Sequence, residues 1–360
     1  MEISHRSNNF DFLRILAASL VIISHSFPII GLPELKIVSV TLGGLGVYIF
    51  FIISGFLISQ SWNHDRKIKC FIWKRFLRII PALIFASVIV TLILGPLVTL
   101  IPLINYFTDL QTYKFFFFAM FFPFWSYLPF DSLPGVFQYN PFPFAVNGPL
   151  WTLVYEWAMY FILLILGIVG IIYHKISQAI ILIFFTALFL FISYFSFEIP
   201  NKYIISQLIV VVPLFLVFFI SSFIFFHHKK QTYSLILFLI LISFLIISSF
   251  TNYFTISLII TLPFIVLFIA HCKIPYLNNI GKYGDYSYGL YIFAWPIQQT
   301  LVMYLSGISI LYFIICCFLG TFPIAFISWH LIESKAMMYK NKLPNFKKFF
   351  FIRNEIKQDR

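Results

Sequence analysis

An arginine and a histidine eleven residues apart, Arg14 and His25, stand inside the first apolar stretch of the chain, with Asp11 three residues before the arginine. Ionisable groups in so apolar a setting are costly and are candidates for function by default. Eleven helical steps of 100° bring His25 about 20° past three full turns from Arg14, so the two share one helix face about 16 Å apart along the axis. Asp11 is placed to pair with the guanidinium and hold its planar fork. An imidazole titrates near neutrality, which suits general acid–base work on a hydroxyl. The blander alternative makes Arg14 a snorkelling anchor and His25 a hydrogen-bonded packing residue.

Two further constellations carry charge. In "KRFLRIIP", Lys74, Arg75 and Arg78 lead into an apolar run, with the two arginines three apart and facing similar directions. They suit a polyanion such as the phosphates of a coenzyme or a lipid headgroup, or serve as ordinary anchoring charge. "NGPLWTLVYEWAMY" opens another run with Pro149 in a first helical turn and Trp151, Tyr155 and Glu156 behind it. By rise per residue, Glu156 comes to about 10 Å below the outer surface, a depth similar to that of His25. One polar cavity shared by Glu156 and His25 is therefore expected. The stretch "GDYSYGLYIFAWPIQQ" adds Asp285, Tyr288 and a Trp295-Pro296 kink, and "SWHLIES" adds Glu333 at the end of a last run. Tyrosine belts and capping groups account for most of these polar positions without chemistry. No Cys or His spacing resembles a metal site, so no metal is expected, and the four cysteines read as structural thiols.

Helices buried in lipid must position these groups. The 360 residues are 61% hydrophobic and only 10% charged, with a mean hydropathy of +0.97. A soluble domain carries about a quarter charged residues, so this chain has too little charge to cover its own surface. It reads as an all-α, polytopic membrane protein, and nucleic-acid-binding, disordered and secreted disulfide-scaffold classes are excluded. Ten segments are long enough to span a hydrocarbon core of about 30 Å: 11–30, 42–62, 79–101, 149–172, 179–197, 204–226, 232–250, 254–271, 286–305 and 308–332. A shorter run at 115–128 is broken by Pro123. If it does not cross and the N-terminus is cytoplasmic, 21 of the 24 Lys and Arg lie inside, and only Lys36, Lys114 and Lys202 outside. If it crosses, 9 lie inside and 15 outside. The excess of cytoplasmic positive charge in membrane proteins favours the first arrangement. The expectation is a ten-helix bundle with both termini cytoplasmic and an outer loop, 102–148, that is partly re-entrant. The membrane domain spans 1–336, and 337–360 is a basic cytoplasmic tail. Asp11, Arg14 and nine later spans mark the first run as a span, not a cleaved signal.

The order of "FDFLRILAASLVIISHS", "GGLGVYIFFIISGFLIS", "KRFLRIIPAL", "NGPLWTLVYEWAMY", "GDYSYGLYIFAWPI" and "SWHLIES" resembles the bacterial acyltransferase 3 family over about residues 8 to 336. Those proteins are integral-membrane O-acyltransferases acting on surface and exported polysaccharides. The form of the "GDYSYGLYIFAWPIQQ" stretch looks most like members acting on exopolysaccharide or O-antigen. The resemblance implies acyl-CoA, most often acetyl-CoA, as donor, a ten-helix bundle, and residence in the bacterial inner membrane. It implies His25 as the essential histidine, Arg14 as its partner, and Arg75 with Arg78 as the donor-handling motif, to which neighbouring Lys74 adds charge. This chain has Ala294 where many members have a histidine, and Lys335 where many have a proline. Some relatives carry an appended esterase-like domain that receives the acyl group; after the last span this chain carries only its basic tail of roughly 25 residues, so no such relay in cis is expected. In this reading His25 is a general base on a sugar hydroxyl or, alternatively, an acyl carrier. Glu156 orients the acceptor or His25, and the aromatics Trp125, Tyr127, Trp151, Tyr155 and Tyr288 meet the substrate. The rival class is a transporter or flippase for a lipid-linked glycan. A receptor or scaffold has no use for the Arg14–His25 pair.

Overall fold

The computed structural model describes residues 8–121, 132–195, 202–227, 234–305 and 307–342. Of the expected site residues, Trp125 and Tyr127 lie outside them, as does most of the basic tail. The described chain is all-α apart from one two-residue hairpin, Lys36–Ile37 paired with Val40–Thr41. Its helices are α1 (Phe10–Ile29), α2 (Leu42–His64), α3 (Ile68–Val98), α4 (Leu103–Thr108), α5 (Leu110–Phe121), α6 (Gly148–Val169), α7 (Lys175–Phe195), α8 (Lys202–His227), α9 (Leu235–Ser248), α10 (Phe254–His271), α11 (Ser287–Tyr304) and α12 (Ile310–Met338). Eight of these are long and apolar enough to cross a membrane. The other two at expected spans differ in kind: α9 is apolar but only 14 residues long, and α11, with 18 residues, carries Gln298, Gln299 and Trp295-Pro296.

Close backbone approach organises the centre. A Cβ at Gly46 would lie 2.5 Å from the Ala17 carbonyl oxygen, and one at Gly55 would lie 2.1 Å from that of Phe218. Helix α2 is thereby pressed onto α1 on one side and α8 on the other, the small-residue packing that lipid-embedded helices rely on in place of a hydrophobic driving force. Its start is fixed by Thr41, whose hydroxyl accepts from the Gly44 amide at 3.0 Å. The start of α1 is tied down by buried Asn9, whose side-chain amide donates to the carbonyls of Ile269 and Cys272, both at 2.7 Å.

Helix α3 begins at Ile68, earlier than the expected 79, and contains a π-helical turn at Ile89–Leu94. Lys and Arg have good helix propensity and can lay their stems along apolar neighbours, so the basic motif continues the helix instead of preceding it. Arg75 and Arg78 consequently lie two to three turns inside α3. Helix α12 likewise runs to Met338, past the expected domain boundary at 336. The run 115–128 is helical up to Phe121, within α5; residues 122–131 are outside those described. The remainder of the outer loop is strapped to α11. Asn140 donates to the carbonyl and side-chain oxygens of Gln299, Asn147 donates to the Ile292 carbonyl at 2.9 Å, and the Trp295 indole donates to the Ala145 carbonyl at 2.8 Å. Pro296 leaves the Ile292 carbonyl without its helical donor, and Asn147 supplies one.

Candidate active site

Two cavities lie one behind the other along α1. The inner one, about 110 Å³, is lined by Arg14, Arg75, Arg78, Glu156, Tyr160 and Tyr288 among others. The outer one, about 1150 Å³, is lined by His25, Glu34, Tyr48, Trp151 and Asn252 with apolar residues of α7 and α8. Val47, Thr152 and Tyr291 border both. The hydroxyls of Thr152 and Tyr291 are 2.6 Å apart, and that of Tyr291 also donates to the Pro149 carbonyl at 3.0 Å. A hydroxyl pair therefore stands beside Val47 where the two spaces meet. The eleven-residue spacing of Arg14 and His25 places one on each.

The inner cavity is a network of charges. Asp285 accepts from Arg14 Nη1 at 3.1 Å and from Arg78 Nη2 at 2.6 Å, with Ser287 hydrogen-bonded beside it. Arg14 also donates to Asp11 at 2.8 Å, and buried Glu333 lies 3.8 Å from Arg78. Burial alone would raise the Asp285 carboxyl, but the guanidiniums of Arg78 and then Arg14, with the Ser287 hydrogen bonds, overcome this and hold it at about 2. Arg75 differs from its neighbour. It has one long hydrogen bond, to the Ser61 hydroxyl at 3.4 Å, lies over the Phe71 and Tyr160 rings at 5.8 and 5.9 Å, and keeps a buried Nε without a partner among the described residues. Arg75 and Arg78 thus share a cavity but not a condition.

His25 is half-buried on the wall of the outer cavity. Its ring and that of Trp295 form a T-shaped pair at 5.0 Å and 83°, and no hydrogen bond engages its nitrogens among the described residues. Among the described residues the packing alternative for His25 thus lacks its hydrogen bond, and Arg14 is paired with two carboxylates.

Four expected placements are corrected. Glu156 does not share the cavity of His25; it lines the inner one, where it accepts from Ser54 at 3.2 Å and from Tyr160. His25 is four residues from the end of α1 and Glu156 eight from the start of α6, about 6 and 12 Å from the outer helix ends. Lys74 does not join the arginines: Asp65 at the end of α2 takes it at 3.6 Å. Tyr155 faces α8, donating to Gln207 Oε1 at 3.0 Å. Tyr288 lines the inner cavity and donates to the Ile79 carbonyl, so of the described aromatics expected at the acceptor only Trp151 borders the outer space. Sequence reasoning missed the parts played by Asp285, Trp295, Thr152 and Tyr291. Asp285 had a signal: three arginines within apolar runs require carboxylates, and few are available. The others had none, since an aromatic or a threonine in a span looks like packing.

Residues 7–330 match the sequence family described as an acyltransferase domain. Along nearly its whole length the chain is also similar to an "O-acetyl transferase" of Shigella phage Sf6, with 27% identity over 92% of this chain and 97% of that one. It is similar to "Nodulation protein 10" of Rhizobium leguminosarum bv. viciae, with 28% identity over 94% and 95%. No solved structure matches it.

Proposed function

This chain belongs to the acyltransferase 3 family, and from that premise we propose that it moves an acetyl group from acetyl-CoA to a hydroxyl of a cell-surface or exported polysaccharide or of its lipid-linked precursor. Membership of an acyl-transfer family sets the transporter and receptor alternatives aside. The choice of acetyl rests on the name of the phage relative. The protein crosses the inner membrane ten times with both termini cytoplasmic, a topology supported by the distribution of Lys and Arg.

The observation that carries the proposal is the serial arrangement of a cationic inner cavity and an outer cavity walled by an unengaged imidazole. Acetyl-CoA approaches from the basic inner rim. Arg75, the least engaged of the three arginines, meets its phosphates, while Arg14 and Arg78 are already held by Asp285 and shape the passage. The narrow acyl-pantetheine arm of the donor threads the inner cavity and reaches His25 by passing the Thr152–Tyr291 pair. His25 takes the proton from the acceptor hydroxyl as the oxygen attacks the thioester carbonyl. The C–S bond then breaks, and the coenzyme A thiolate receives the proton that His25 holds. Glu156, in the inner cavity, orients the donor arm and not the acceptor.

The test is His25→Ala in full-length protein in membranes, read as thiol release from acetyl-CoA with acceptor present. Loss of a general base lowers the rate by about 10² to 10⁴-fold, with insertion and accumulation retained. Transfer at the wild-type rate would remove the mechanism.

A further inference from the structure

One carboxylate in the outer cavity has no part in the chemistry above. Glu34 lies beyond the end of α1, where the chain reverses at Gly31 with φ +83° and enters the short hairpin. The buried hydroxyl of Ser24, the residue before His25, donates to Glu34 Oε1 at 2.6 Å. Gly43 leaves the space for this contact: a Cβ there would stand 3.2 Å from Ser24 Oγ and 3.4 Å from Glu34 Oε1. The same loop is pinned again where the hydroxyls of Ser39 and Thr255 meet at 2.6 Å. Glu34 is thus held by Ser24 on the wall of the cavity that His25 also lines, on a loop pinned a second time at Ser39. No cation pairs with it among the described residues, although the chain has twice as many basic as acidic side chains.

We propose that Glu34 is the acceptor-recognition residue of the outer cavity, taking hydrogen bonds from adjacent hydroxyls of a neutral sugar ring and so presenting a neighbouring hydroxyl to His25. This rests on the acetyl-transfer reading and adds the substrate class. A carboxylate accepts through two oxygens, and the Ser24 contact occupies only part of one. Trp151, on the same cavity wall, offers an apolar face for a ring, and Asn252 and Thr255 add neutral polar groups. Glu34 and His25 are the only Asp, Glu, Lys, Arg or His residues on that wall among those described. An acceptor carrying a carboxylate at the recognised positions therefore meets like charge with nothing to offset it, and a neutral sugar is selected by repulsion as well as by contact.

The experiment uses full-length protein in lipid nanodiscs with two probes, methyl glucopyranoside and methyl glucuronopyranoside. Wild type, Glu34→Gln and Glu34→Ala are compared by acetyl transfer and by saturation-transfer NMR binding. Glu34→Ala is expected to raise KM for the glucoside about tenfold or more, the effect of losing hydrogen bonds to a charged group, with KM for acetyl-CoA at its wild-type value. Glu34→Gln keeps the shape and narrows the preference for glucoside over glucuronide. Unchanged glucoside binding and preference in both variants overturns the proposal. If no variant or wild type releases thiol, binding still decides: a glucoside signal weakened by Glu34→Ala keeps the recognition role and discards acetyl transfer.

Discussion

The two cavities along α1 are built on opposite principles. In the inner one nearly every charge is answered by another side chain: Asp285 gathers Arg14 and Arg78, Glu333 stands behind Arg78, and Glu156 is held by Ser54 and Tyr160. In the outer one, among the described residues, His25 has a T-shaped contact with a tryptophan ring and Glu34 has one hydroxyl. A charge in a low-dielectric interior must be paired or it destabilises the fold. A group meant for a passing ligand must keep donor or acceptor capacity in reserve. The inner network is paid for within the protein, and the outer groups await a partner. Within the inner cavity only Arg75 resembles the outer groups.

Variants that break this contrast differ widely in expected size. Asp285→Ala removes the carboxylate that joins two guanidiniums and the closest partner of Arg78, and is expected to cost about 3–5 kcal/mol, seen as a large fall in the thermal unfolding temperature of the solubilised protein; an unshifted transition would show that the network does not hold the bundle. Arg75→Ala is expected to raise KM for acetyl-CoA about tenfold with little change in unfolding temperature, whereas Arg78→Ala lowers stability first. Equal behaviour of the two would erase the distinction between them. Tyr291→Phe removes the hydroxyl that joins Thr152 and the Pro149 carbonyl, for about 1 kcal/mol, and combining it with Thr152→Val is expected to add less than the sum of the two. Lys74→Ala sits at the bottom of the scale, with neither stability nor donor KM measurably altered; an effect on KM as large as that of Arg75→Ala would return it to the donor site.

Much of the architecture was legible because it depends on local quantities. Apolar length placed most of the long helices within a few residues, α3 and the end of α12 excepted, and 100° per residue put Arg14 and His25 on one face. Asp11 and Arg14, three apart, meet as expected. The errors share a cause. The shared cavity of Glu156 and His25 was drawn from depth, and the two lie four and eight residues from the outer ends of their helices and line different spaces. Grouping Lys74 with the arginines ignored Asp65, which follows the last residue of the preceding helix. The reach of α3 below residue 79 was not given by apolar length, which marks only the stretch that lies in lipid, and the basic turns continue the helix beyond it.

The sequence by itself determined that this chain is a bundle of lipid-length helices carrying a small set of charges, and on which face of its own helix each charge lies. That follows because span length and helical phase are properties of a single segment. Tertiary structure alone decided that Asp285 joins Arg14 to Arg78, that Thr152 and Tyr291 stand where the two cavities meet, and that Trp295 and Glu34 flank the region of His25. Those meetings depend on how one helix is rotated and shifted against another. That is set by close contacts such as Gly46 on Ala17 and Gly55 on Phe218, summed over the whole bundle, and no single segment encodes it.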